Sequence, residues 1–226
     1  MTKKISIAID GPAGAGKSTV AKIVADRLSY IYIDTGAMYR AFTYKAIKEH
    51  INIRSEEDLI RVLKETTIEL KHDGQKQIVL LDGKDVTKEI REPDVTNNVS
   101  IVAAHKLIRD EMVARQKALG NAGGVVMDGR DIGTNVLPHA ELKIFLLASA
   151  DIRAERRHKE NMEKGYPSDL AKIKTNILAR DKQDTERKIS PLRKAEDAIE
   201  IDTSFLSVDE VVSKIIHLAN ERIEVS

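Results

Sequence analysis

Apolar positions along the chain follow two rhythms. Short, largely apolar runs occur at residues 5–9, 30–33, 125–127, 142–147 and 198–201. Several are apolar throughout, as strands covered on both faces must be. Between them, apolar side chains recur every three or four positions, the helical period. Residues 17–28 place Val20, Ile23, Val24 and Leu28 on one face. A last helix opens on the capping box Ser207-Val208-Asp209-Glu210 and continues with Val211, Val212, Ile215 and Ile216. Strands separated by helices predict an α/β, three-layer fold around a five-stranded parallel sheet.

Two segments depart from this rhythm. Over residues 66–87, apolar runs are punctuated by Asp73-Gly74 and Asp82-Gly83, which predicts a small antiparallel meander inserted into the fold. Residues 151–190 are helical in propensity, poor in apolar side chains and dense in Arg, Lys, Glu and Asp. Such a segment buries little surface, so a mobile helical lid is expected there.

Composition removes several function classes. Lys+Arg 37 against Asp+Glu 36 leaves a net charge of +1, so no overall field draws in nucleic acid. With no Trp, three Phe and five Tyr, a base-stacking surface is not expected. There is no cysteine, which excludes disulfides and thiolate chemistry and fits a reducing cytosol. The opening Met1-Thr2-Lys3-Lys4 runs straight into the first apolar run, which reads as a strand and not a signal peptide. No apolar run approaches the ~20 residues that span a bilayer.

Chemistry first becomes specific at Gly11-Pro12-Ala13-Gly14-Ala15-Gly16-Lys17-Ser18, a G-x-x-x-x-G-K-[ST] match lying between a strand and a helix. Glycines let backbone N–H groups turn inward onto phosphate, and the helix N-terminus adds positive potential. Residues 11–18 with Thr19 are therefore the ATP-binding candidates. Lys17 is placed to reach the β- and γ-phosphates, and the Ser18 hydroxyl to ligate Mg²⁺. The run Val125-Val126-Met127-Asp128 has the form of a Walker B strand, with Asp128 either a second candidate for Mg²⁺, through water, or a partner for a loop amide. The D-x-x-G and N-K-x-D signatures of GTPase switches are missing.

Phosphoryl transfer to a second nucleotide sets one anion against another, so guanidinium forks are required. Asp34-Thr35-Gly36-Ala37-Met38-Tyr39-Arg40 follows the second strand and Asp128-Gly129-Arg130-Asp131 the third. Both belong to the carboxyl edge, where parallel sheets bind ligands. Arg153, Arg156 and Arg157, interleaved with Glu155, Glu160 and Glu163, read equally well as ATP contacts or as a solvated helix laced with weak ion pairs. His50, His72, His105, His158 and His217 fit no metal-ligand spacing, and His139 reads as a loop residue.

Taken together, GPAGAGKST, DTGAMYR, NNVS, DGRDIGT, KIFLLAS, RDKQD with Arg187, and SPL at 190–192 run in order from end to end, and the chain resembles the bacterial cytidylate kinases over essentially its whole length. The resemblance implies transfer from ATP to CMP or dCMP, with Mg²⁺ as cofactor. It divides the chain into a core (1–35, 101–150 and 191–226), a nucleoside-monophosphate domain (36–100, carrying the 66–87 insert) and a lid (151–190). It implies that Thr35, Arg40 and Arg130 hold the CMP side, that Ser100, Arg109 and Asp131 read cytosine, and that Arg180, Asp184 and Arg187 complete the sugar and phosphate contacts. Lys17, Arg130, Arg180 and Arg187 are the expected catalytic groups, the last two acting as arginine fingers when the lid closes. The proline that relatives often carry near Lys106 is missing here. A small-molecule kinase for a sugar acid and a P-loop assembly protein are the rival readings. The first would not need four acceptor-side arginines, and the second would need a partner surface or basic patch that the charge balance argues against. A cytosolic monomer, binding neither membrane nor nucleic acid, is expected.

Overall fold

The computed structural model describes residues 4–73, 76–121, 123–163 and 165–225. Along the chain, β1 (Ser6–Asp10) leads into α1 (Lys17–Leu28), followed by β2 (Ile31–Asp34), α2 (Thr35–Lys48) and α3 (Glu56–Lys64). Three short strands come next, β3 (Ile68–Asp73), β4 (Lys76–Leu81) and β5 (Lys84–Asp85), then a 3-10 turn, α4 (Pro93–Val102) and α5 (Lys106–Gly120). The chain returns through β6 (Val125–Gly129), a π-helical turn (Ile132–Val136) and β7 (Leu142–Leu147). It then makes α6 (Ala150–Glu163), α7 (Leu170–Glu186), β8 (Ile199–Asp202) and α8 (Val208–Val225).

The five predicted core strands form one parallel sheet in the order β2-β6-β1-β7-β8. Register brings the strand ends level, with Asp10 opposite Gly129 and Asp34 opposite Asp128. Apolar residues on the two faces of β1, β2 and β6 serve two cores. Ile5, Ile7 and Ile9 pack with Val20 and Val24 of α1 and Val212 and Ile215 of α8, while Ala8, Val125 and Met127 pack with Val113 of α5 and Ile132. The capping box on α8 forms: Ser207 Oγ accepts from the Glu210 amide at 3.3 Å and Glu210 Oε2 from the Ser207 amide at 2.8 Å.

A third core joins Met38 and Phe42 of α2, Leu59 and Leu63 of α3, Val99 of α4, and Ile108 and Met112 of α5. Because Val113 belongs to the sheet core, α5 serves both bodies. The meander exists as an antiparallel sheet in the order β3-β4-β5. Its second turn has Asp82 and Gly83 at φ 49° and 79°, the left-handed pair of a tight hairpin. Gly74, of the first predicted turn, lies outside the described residues, as do Met1–Lys3. Val79, Leu81 and Val86 bury against Ala37 and Ala41 of α2. His72 Nε2 and Gln77 Nε2 also reach the Tyr32 carbonyl at 2.8 and 3.1 Å. Since β2 is an edge strand, the insert satisfies a backbone acceptor that the sheet leaves open.

Helices α6 and α7 bury little, as their composition predicts: only Arg153 and Ala154 on α6 and Asp184 on α7 are buried. Among the described residues, no helix is long and apolar enough to cross a membrane.

Candidate active site

Gly11 leaves the central strand at φ +147°, and a Cβ there would lie 2.2 Å from the Leu146 carbonyl oxygen, so only glycine fits. Gly16, left-handed at φ 85°, is the N-cap of α1 and supplies no side-chain cap. The first amides of α1 therefore remain available to an anion. Lys17 is buried and donates from Nζ to the Pro12 carbonyl at 2.7 Å. Burial, together with Arg130, pulls its pKa well below the ordinary lysine value. Thr19 is exposed on the outer side of the same turn.

Ser18 Oγ donates to Asp128 Oδ2 at 2.9 Å, and the Tyr32 hydroxyl donates to Asp128 Oδ1 at 2.8 Å. Burial, with Asp34 alongside, pushes Asp128 up to about 6. A hydroxyl and a carboxylate at the phosphate end of α1 are hard oxygen donors. They fit a Mg²⁺ that takes few protein ligands and completes its octahedron with phosphate and water. Among the described residues there is no larger cluster of His, Cys, Asp or Glu, which would favour another metal.

Opposite the glycine loop stands the predicted arginine group. Arg40 Nη2 donates to Asp34 Oδ2 at 2.8 Å, and Asp34 Oδ1 caps α2 through the Ala37 amide. Burial raises the Asp34 pKa, but Arg40 and that amide outweigh it and hold the carboxyl below its usual range. Thr35 Oγ1 donates to the Asp128 carbonyl at 2.7 Å. Arg130 Nε donates to Asp184 Oδ2 at 2.9 Å, tying the end of β6 to α7. Arg180, half-buried on α7, is pushed down to about 10 by burial and then by Arg130. Its Nε, like that of Arg40, is a buried donor with no partner among the described residues.

A second cluster surrounds Asp131. Arg109, 2% exposed, donates from Nη2 to Asp131 Oδ2 at 2.6 Å and from Nη1 to the Ala103 carbonyl at 3.1 Å, and it lies over the Tyr39 ring. Where the family's proline is missing, His105 stands at the N-cap position of α5 without a side-chain cap, and its Nε2 reaches the Ile53 carbonyl at 2.9 Å. Arg187 Nη2 faces Asp131 Oδ1 at 3.6 Å, and its Nη1 lies 4.0 Å from Asp184 Oδ1. Tyr39 OH, Arg109 Nε and Arg187 Nη2 are buried without a hydrogen-bond partner among the described residues. Ser100, on α4, makes no hydrogen bond to this cluster among the described residues.

The picture of a solvated, weakly paired lid helix holds for one of its three arginines. Arg157, exposed, pairs with Glu160 at 3.1 Å. Arg153 is buried: it forks onto Asp181 at 3.0 and 2.6 Å and donates to Ala13 of the glycine loop at 3.0 Å, joining α6, α7 and the loop. Arg156 binds the carbonyl and hydroxyl of Thr203. Asp181 and Thr203 lie 28 and 47 residues away, so helical spacing alone could not reveal either contact. Asp10 was missed as well. It accepts from the Ile132 and Gly133 amides at 2.9 and 2.7 Å, and burial raises it to about 6. Its signal was available, an acid immediately before the first glycine. His139 is exposed in a turn, as predicted.

Buried positive charge on this scale calls for phosphate, and its approach from the glycine loop and the arginine flank together makes the chain a phosphotransferase of the P-loop kind. The sequence matches the Cytidylate kinase family over residues 7–221. A cytidylate kinase of Geobacillus kaustophilus is 62% identical over 223 residues, covering 99% of this chain and 100% of the relative. One of Anoxybacillus flavithermus is 61% identical over 224 residues, with the same coverage. Among solved structures, an uncharacterized protein from Eubacterium ventriosum aligns over 97% of this chain and 99% of its own, at TM-score 0.51 and 15% identity, a likeness of fold alone. The chain belongs to the cytidylate kinase family, and is thus an ATP-dependent kinase.

Proposed function

We propose that the chain transfers the γ-phosphoryl group of ATP to CMP or dCMP, giving ADP and CDP or dCDP. A phosphate oxygen of the acceptor attacks the γ-phosphorus. The bond to the β,γ-bridging oxygen breaks, and its electron pair leaves with ADP. No general base is needed, because the acceptor oxygen is already ionised; the protein supplies position and positive charge. Residues 11–19 cradle ATP, Lys17 its β- and γ-phosphates. Thr35, Arg40 and Arg130 hold the acceptor phosphate, and Arg180 and Arg187 come over the transferring group from the lid. Ser18 and, through water, Asp128 hold Mg²⁺, which when bound neutralises charge on the phosphates.

Asp131 accepts the N4 amino hydrogen of cytosine, Arg109 and Ser100 face its N3 and O2 edge, and Asp184 with Arg180 and Arg187 completes the contacts to sugar and phosphate. The observation that carries this reading is the set of buried, partnerless donors around one carboxylate: Arg109 Nε, Arg187 Nη2 and Tyr39 OH beside Asp131. Buried polar groups are almost always satisfied, so a polar ligand with a donor next to acceptors completes them. Core, monophosphate domain and lid follow the boundaries of the family. The sparse burial of α6 and α7 supports a lid that opens and closes. The enzyme works as a cytosolic monomer on free nucleotides. Coupled ADP detection with each nucleoside monophosphate in turn tests the proposal: CMP and dCMP stimulate strongly, and equal stimulation by AMP or GMP, or none by any monophosphate, overturns it.

A further inference from the structure

Asp131 carries two of its donors on one oxygen. Arg109 Nη2 and Asn135 Nδ2 both reach Oδ2, at 2.6 and 3.2 Å, while Oδ1 has Arg187 at 3.6 Å, beyond hydrogen-bond range. A carboxylate gripped on one oxygen cannot rotate freely, and the other oxygen is left aimed. Asn135, on the π-helical turn, is itself held on both sides. Its backbone amide donates to the Asp131 carbonyl at 2.9 Å, and Nδ2 also contacts Ser190 Oγ at 3.0 Å. Because a carboxylate only accepts, Nδ2 and not Oδ1 of Asn135 must face Asp131. Ser190 lies 55 residues away on the strand of chain that returns from α7, with a left-handed φ of 45° that a serine seldom adopts. Its carbonyl accepts from Arg187 Nε at 2.7 Å. Asp131, Asn135, Ser190 and Arg187 thus close a ring between core and lid.

We propose that Asn135 is a positioning residue for base selection. It turns Oδ1 of Asp131 toward the amino group of the acceptor pyrimidine and, through Ser190, fixes Arg187 on the phosphate side of that carboxylate, so base recognition and the phosphate contact assemble together. The inference rests on Asp131 as the base-reading carboxylate. Nothing in the sequence motif marks Asn135; the turn and the lid bring it into play.

The test measures kcat/KM with CMP and with UMP for the wild type, Asn135→Leu, Asn135→Gln and Asp131→Ala. A ratio taken on one preparation is insensitive to the fraction that has folded, so a destabilised variant still reports. For Asn135→Leu the CMP:UMP ratio falls about 10-fold, the scale of one hydrogen bond to a charged group. The fall comes from a raised KM for CMP, with KM for ATP unchanged, and Asn135→Gln recovers part of the ratio. Equal losses on CMP and UMP, or an unchanged ratio, would mean that Asn135 is merely structural and would overturn the proposal. If Asp131→Ala also leaves the ratio unchanged, the base-reading assignment falls with it. If Asp131→Ala collapses the ratio and Asn135→Leu spares it, Asn135 alone is excluded.

Discussion

Arg180 carries a buried positive charge that its neighbours compensate only in part. Its Nε is buried without a partner among the described residues, and burial and Arg130 press its pKa down to about 10. Such a group gains most when a phosphoryl group carries charge past it. Arg180→Ala is therefore expected to lower kcat by about 10³-fold while KM for ATP changes little, in steady-state assays. Arg187→Ala should likewise cut turnover by orders of magnitude, and KM for CMP should rise as well, because Nη2 faces Asp131. A near-wild-type rate for either removes it from the chemistry. The resemblance to the cytidylate kinases pointed to these arginines, and their residue type suits the charge of two nucleotides. Arg153 was not legible: on paper it is one more cation on a charged helix, and only the fold brings Ala13 and Asp181 to it.

Elements impose their own constraints. The crossing of β1 into the glycine loop passes so close to β7 that Gly11→Ala meets the Leu146 carbonyl in a backbone conformation hostile to alanine. Strain and overpacking together should cost about 3–5 kcal/mol, read from the denaturant midpoint, with nucleotide binding lost in what still folds. The meander closes the edge of β2 through His72 and Gln77. Replacing both by Leu leaves the Tyr32 carbonyl unsatisfied at about 1–3 kcal/mol. Because the Tyr32 hydroxyl holds Asp128, the phosphate site should loosen too, so KM for ATP rises alongside the fall in stability. An unchanged KM would confine the insert to a covering role. The meander itself was readable from two Asp-Gly steps, but its partner strand was not, since edge position is a property of the assembled sheet.

At the scale of the molecule, α7 is latched to the end of β6 by charge. Asp184 is buried, which raises its pKa, yet Arg130 and Arg180 outweigh this and hold it below the ordinary aspartate value of 3.8. Asp34 is likewise held down against burial, chiefly by Arg40. A carboxyl depressed in the folded state stabilises the fold fully above its unfolded pKa, and that contribution is lost as pH falls through the lower folded value. Thermal midpoints should therefore drop below about pH 4, where the latch protonates and the guanidinium groups repel one another. Asp184→Asn should flatten that acid limb and loosen the lid at neutral pH, seen as faster amide exchange on α7. A variant that keeps the full acid slope would assign it to other carboxyls.

Taken by itself, the amino-acid sequence determined the five core strands, the meander, the helices that follow β1 and end the chain, where the glycine nest lies and that anions are its ligands. Those features depend on neighbours within a turn or a few residues: alternating apolar positions, a capping box, a glycine where a side chain cannot fit. The tertiary structure decided which distant groups meet, among them Asp10 under the Ile132 and Gly133 amides, Arg109 on Asp131, Arg153 beneath the glycine loop and Asn135 on Ser190. Such pairings depend on strand order and on where the lid returns, and a carboxylate's working oxygen is set only when its other one has been occupied.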